Sequence, residues 1–177
     1  YQRADQNITT SVTVPVLWDK ETETIVNNES SQIIRMFNSE FNELTENYDD
    51  YYPEDHRTEI DSLNDLIYET VNNGVYKSGF AKTQESYEHA VMELFACLND
   101  LERLLTKQRF LLGDKISEAD LRLIPTLLRF DIVYFTHFKC NLRQIKEYKH
   151  LSRYTKELFE NEAIASTSNF DHIKRHY

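Results

Sequence analysis

The sequence predicts a mainly α fold, in which a short β-hairpin and one helix precede a larger all-helical block. Three observations carry this reading. From Ile33 onward, apolar residues recur at helical spacing through most of the chain. Two short β-branched runs, separated by a polar turn, stand near the start. The 177 residues include only 3 glycines and 3 prolines, too few for a many-turned β-sandwich or a glycine-rich phosphate-binding fold.

The hairpin is expected from residues 12–18 (Val-Thr-Val-Pro-Val-Leu-Trp) and Thr24-Ile25-Val26, with the turn at Asp19–Glu23. Pro15 has no N–H for a ladder, so it must sit at an edge, a bulge or a cis bond. Two strands cannot bury themselves alone. The hairpin therefore expects a partner sheet, and a chain that opens on Tyr1 reads as the C-terminal portion of a longer protein. A helix follows from Glu29, with Ile33, Ile34, Phe37, Phe41 and Leu44 on its apolar face. The acidic, tyrosine-rich stretch 46–55, which contains Pro53, breaks the pattern and reads as a linker. The expected division is thus 1–45, the linker 46–55, and a helical domain over 56–177.

Within the helical part, Ile60, Leu63, Ile67 and Val71 form one stripe that is expected to end at Asn72-Asn73-Gly74, a C-cap signal. Tyr87, Ala90, Val91, Leu94, Leu98, Leu101 and Leu105 form a second stripe, with Thr83 as N-cap. Ser117-Glu118-Ala119-Asp120 opens a third helix as a capping box, and Pro125 within it removes one backbone bond. Further elements are expected around Leu142–Tyr148 and Leu151–Phe159.

Charge narrows the function. Twenty Lys and Arg against 30 Asp and Glu leave a net charge of −10, which repels nucleic acid and anionic membrane surfaces. No apolar stretch is long enough to span a bilayer. Cys97 and Cys140 are too few for a disulfide scaffold and suit a reducing, cytoplasmic setting. Cys97 reads as a core thiol, whereas Lys139 and His137 could lower the pKa of Cys140. The six histidines show no metal-ligand spacing, and no metal is expected. The basic tail His172, Lys174, Arg175 and His176 reads as pairing with nearby carboxylates.

Specific strings suggest a family. The run from Phe110 to Phe130, with its capping box, resembles the core helix of glutathione transferase C-terminal domains. Asn73-Gly74-Val75-Tyr76, Arg129-Phe130-Asp131-Ile132-Val133-Tyr134, His137-Phe138-Lys139-Cys140-Asn141 and the tail Asn169–Tyr177 resemble a narrower group. That group is the glutathionyl-hydroquinone reductases, the Xi-class glutathione transferases, and the segments around Val14-Pro15 and Glu29-Ser30 resemble it too.

The resemblance implies a glutathione transferase-like fold: the last strands and helix of a thioredoxin-like domain, then the helical domain. It also implies reduction of glutathionyl-hydroquinones by a second glutathione, which is a co-substrate and the only small molecule needed beside the aromatic conjugate. Glutathione would lie on Ser11, Val12, Thr13 and Val14, with Glu29 and Ser30 at its γ-glutamyl end. Tyr76 would be the proton donor and acceptor, while Tyr134 and Tyr177 would lower the pKa of the reacting thiol. A homodimer is implied as well. The family's nucleophilic cysteine stands in a motif well before the cis-proline, and this chain carries no cysteine there. A conjugating transferase and a non-catalytic binding module are the alternative readings.

Overall fold

The hairpin forms, but later than its β-branched run. In the computed structural model, which describes all residues from Tyr1 to Tyr177, β1 spans Leu17–Asp19 and β2 spans Thr24–Asn27. They pair antiparallel, with Trp18 opposite Ile25 and an irregularity between Leu17 and Trp18. Residues 12–16, expected as strand, lie outside the ladder, and Val14-Pro15 is a cis peptide. Proline's missing N–H accounts for the exclusion. The Asp19 carboxylate closes the turn, accepting from the amide of Glu21 at 2.8 Å and the hydroxyl of Thr22 at 2.8 Å.

Helix α1 runs Ser30–Ser39 and buries Ile33. Glu29 caps it, its carboxylate accepting from the amide and hydroxyl of Ser31. A short turn of helix, α2, follows at Asn42–Thr45. The chain divides into two compact units, Tyr1–Tyr52 and Pro53–Tyr177. The stretch 46–52, read as linker, thus falls with the first unit. Asn38 stitches it back: its amide donates to Asp50 at 2.7 Å and its carbonyl accepts from the Tyr51 N–H at 2.8 Å.

The second unit is mainly helical. It contains α3 (Arg57–Ile67), α4 (Gly74–Gly79), α5 (Gln84–Leu104), α6 (Glu118–Arg129), α7 (Lys149–Phe159), α8 (Glu162–Thr167) and α9 (Phe170–His176). Its core draws on Val71 and Val75, on Leu94 and Leu98 of α5, on Leu123 of α6, and on Leu151 and Leu158 of α7. Thr83 caps α5 as expected, accepting from Ser86 N–H. No helix is long and apolar enough to cross a membrane.

Two expectations are corrected. Gly74 does not end a helix; it begins α4. The chain passes from α3 through a wide turn at Tyr68–Asn72, closed by the Asn73 N–H on the Tyr68 carbonyl, and continues helically. Gly74 is buried where α4 meets α5, 3.6 Å from the Leu94 side chain as measured from an added Cβ. Gly74 thus takes a right-handed helical conformation, not that of a left-handed cap, and a Cβ there would make only an ordinary contact with Leu94. The element expected over 142–148 is a single 3₁₀ turn, Ile145–Glu147. Its amides are held from afar: Asp131 accepts from Ile145 N–H at 2.6 Å and Lys146 N–H at 3.1 Å.

Helix α6 runs unbroken through Pro125, and its start is the best-bonded point of the unit. Asp120 is wholly buried. Its carboxylate accepts from the Ser117 amide (2.8 Å), the Ser117 hydroxyl (2.8 Å), the Leu111 amide (3.0 Å) and the Tyr154 hydroxyl (2.7 Å). Such a carboxylate is stable in the interior because its lone pairs are all engaged. Asp120→Ala should leave those donors unpaired and cost about 3–5 kcal/mol in denaturant unfolding. Tyr154→Phe should cost about 1–2 kcal/mol. A loss under about 1 kcal/mol for Asp120→Ala would show that water replaces the carboxylate.

Candidate active site

Three tyrosine hydroxyls meet in the second unit. Tyr76 comes from α4, Tyr134 from the end of a second wide turn at Phe130–Tyr134, and Tyr177 from the residue after α9. Tyr76 lies 2.8 Å from Tyr177 and 3.3 Å from Tyr134, and Tyr134 lies 3.3 Å from Tyr177, hydroxyl to hydroxyl. The expected site tyrosines therefore converge, although they are drawn from positions spread over most of the unit.

Each wide turn sits next to one of these residues. The turn at Tyr68–Asn72 leads into α4, and that at Phe130–Tyr134 closes with the Phe135 N–H on the Phe130 carbonyl at 2.8 Å. An inserted helical residue of this kind rotates all that follows it, and such turns are frequent at functional sites. The periodicity of the sequence showed neither turn.

Phe138 forms the floor. Its ring stands 5.3 Å from Tyr76, 5.3 Å from Tyr134 and 5.7 Å from Tyr177, centroid to centroid. Gly79 gives it room: a Cβ there would fall 2.5 Å from the Phe138 ring. Phe138 lies within one of the strings that carry the family resemblance, Gly79 in none, and sequence alone assigns neither a part. The Phe80 ring, 70 % exposed, stacks beside Tyr76.

The environment keeps Tyr76 and Tyr134 protonated. Burial pushes Tyr134 far above the ordinary phenol value, and its bonds with Tyr177 and Tyr76 act in the same direction. Burial also raises Tyr76, opposed by its bond with Tyr134 and by the positive charge of Arg129. At neutral pH both are O–H groups, able to donate.

Neither cysteine joins this cluster as a reactive thiol. Burial pushes Cys140 up to about 12, so Lys139 and His137 do not activate it. Burial likewise raises Cys97, a core residue as expected. Both are poor nucleophiles at neutral pH.

The first unit presents the other expected residues. Val12 and Val14 are exposed, and Ser11 and Thr13 flank them at the surface. Asn28 ties this segment to the approach of α1, its amide donating to the Thr13 hydroxyl at 3.3 Å. Next along the chain, Glu29 and Ser30 stand exposed at the start of α1. Asn27 holds the Glu29 amide at 2.7 Å, which orients that corner.

Comparison with known proteins assigns the class first. The family model described as "Glutathione S-transferase, C-terminal domain" matches residues 84–157, and the chain has the glutathione transferase fold. More narrowly, it is similar over its whole length to the glutathionyl-hydroquinone reductases of the Xi class, as its strings suggested. Glutathionyl-hydroquinone reductase PcpF of Sphingobium chlorophenolicum is 52% identical over 177 residues, which are 100% of this chain and 56% of that protein. The glutathione-bound structure of YqjG, a glutathione transferase homolog from Escherichia coli K-12, superposes with a TM-score of 0.97 at 51% identity, covering 100% of this chain and 57% of that one. The glutathione S-transferase Xi of Phanerochaete chrysosporium does so with a TM-score of 0.95 at 54% identity, covering 100% and 58%. The chain spans about half the length of the curated relatives it matches.

The raised phenol pKa has a consequence for stability. Unfolded Tyr134 ionises near about 10, whereas the folded residue keeps its proton above that. Its contribution is therefore complete below about pH 10 and is lost as pH rises further. Tyr134→Phe should flatten the alkaline fall in unfolding free energy by about 1.4 kcal/mol per pH unit beyond that point. Parallel wild-type and variant curves would mean that the phenol titrates normally.

Proposed function

We propose that this chain supplies the glutathione-binding edge and the proton-donating tyrosines of a glutathione-dependent reductase that converts glutathionyl-hydroquinones to hydroquinones. The observation that supports it most is the meeting of three tyrosine hydroxyls, 2.8–3.3 Å apart, over an aromatic floor. An aromatic substrate finds apolar ring faces there, and hydroxyl donors stand where charge develops.

In this reading a thiolate outside the two buried cysteines attacks the conjugate's thioether sulfur. A protein–glutathione disulfide forms as the carbon–sulfur bond breaks. The electron pair left on the ring carbon takes a proton, which Tyr76 delivers. A second glutathione thiolate then attacks the disulfide, releasing oxidised glutathione and the starting thiolate. Tyr134 and Tyr177 donate toward the thiolate and lower the thiol's pKa. In the first unit, the backbone of Ser11, Val12, Thr13 and Val14 takes the cysteinyl part of glutathione. Glu29 pairs with its ammonium, and Ser30 with the first amides of α1 takes its carboxylate.

The reading needs glutathione as co-substrate and neither a metal nor another cofactor. A homodimer in the cytoplasm completes it. The similarity to PcpF and to the glutathione-bound homolog supports the substrate class and the glutathione site.

In a protein that provides the thiol, Tyr76→Phe should lower turnover about 10²–10⁴-fold, the usual worth of a positioned general acid. Glutathione binding by calorimetry should not change. Glu29→Gln should do the converse, raising the KM for glutathione about tenfold or more with kcat retained. Unchanged turnover in Tyr76→Phe would remove that phenol from the chemistry. If thioether formation proved faster than thioether cleavage, the conjugating transferase would be the better description.

A further inference from the structure

We propose that the cleft between α6 and α9 binds an aromatic carboxylate, with Arg129 receiving the acid and the apolar face of α6 receiving the ring. The cleft has a volume of about 670 Å³ and is built wholly within the second unit. That size is ordinary for a small-molecule site.

Its two walls differ in chemistry. Leu121, Pro125 and Leu128 of α6 make one side, an apolar strip at helical spacing. Opposite, His172 and His176 project from α9 four residues apart and hence on one face. Arg129 and Tyr177 also line the cleft. A planar apolar body suits the α6 side, and a carboxylate suits Arg129 with the ring N–H donors of the histidines.

Charge selects further. The chain holds 30 acidic residues against 20 basic ones, yet no Asp or Glu lines this cleft. Its ionisable lining is Arg129, His172, His176 and the phenol of Tyr177. The other cations of α9, Lys174 and Arg175, do not line the cleft, and Arg175 is engaged with Asp171 at 3.0 Å. The Arg129 guanidinium donates to the Pro125 carbonyl at 2.8 Å, which fixes its head on the cleft wall. One bond engages only part of its five-donor fork, and a carboxylate is the group that matches two parallel donors. The field of Arg129 also reaches Tyr76, so an anion bound there would sit within electrical range of the tyrosine cluster.

The test uses the intact chain and needs no turnover, so it stands apart from the reductase reading. Isothermal titration with 2-naphthoate should give saturable binding, and the neutral 2-naphthalenemethanol should bind about tenfold or more weakly. Arg129→Gln should remove that difference, and Arg129→Lys should restore only part of it. Circular dichroism of each variant would separate a lost contact from a lost fold, and His176→Gln serves as a second variant with a smaller loss of affinity. Added salt should weaken the acid and leave the alcohol unchanged. Equal binding of acid and alcohol, unchanged naphthoate affinity in Arg129→Gln, or no binding into the millimolar range would each overturn the assignment. Competition by glutathione through Arg129 would make the cleft a peptide-carboxylate site and overturn it too.

Discussion

The helical unit depends on one buried charge. Asp120 sits at the first turn of α6, where four backbone amides of any helix lack internal partners. Its carboxylate joins three separate pieces of chain: the cap at Ser117, the loop amide of Leu111 and the hydroxyl of Tyr154 on α7. A carboxylate in the interior is tolerated only when so many donors converge on it. The requirement works as a constraint on geometry. The loop, α6 and α7 have to arrive together, or the charge is left unpaired. Everything downstream on α6, including Arg129 and the turn that carries Tyr134, takes its position from that start.

Two further carboxylates repeat the device at lower depth. Glu102 of α5 caps the start of α7, accepting from the amides of Lys149, His150 and Leu151 at 2.7–3.0 Å. Asp131 does the same for the turn at Ile145–Glu147. Glu102 is remote in sequence from α7, so no start signal stands beside that helix, whereas the turn at Ile145–Glu147 also has a local one, Glu147 accepting from the Gln144 amide at 2.7 Å. Local signals marked two long helices whose caps are local. Thr83 and Ser117 marked the starts of α5 and α6 because their partners lie three residues away.

The same distinction governs how much of the site could be read. The apolar stripes of α3, α5 and α6 follow the helical period and were legible. Asn72-Asn73-Gly74 has the composition of a C-cap yet lies in continuing helix, because a glycine inside a helix looks the same in sequence as one in a left-handed cap. The wide turns at 68–72 and 130–134 are single insertions that periodicity blurs and hydrogen bonding alone defines. The tyrosines were found through the strings around them; helical spacing alone offers no reason to bring Tyr76, Tyr134 and Tyr177 to one point. Their support, Phe138 above Gly79, carries no polar group and so drew no attention.

The triangle of hydroxyls has an accounting of its own. Three phenols hold three protons, and the triangle has three edges. Each hydroxyl can donate along one edge and accept along another, so the protons can circulate in one sense or the other with no donor left over. A closed ring of this sort is saturated until something opens it. When Tyr76 turns its proton outward, the edge it served goes empty, and its oxygen becomes a place where Tyr134 and Tyr177 can both donate. Giving up the proton is thereby matched by two neighbours able to face the oxygen that lost it. The three oxygens thus form one hydrogen-bonded unit, in which the direction of each bond is tied to that of the other two.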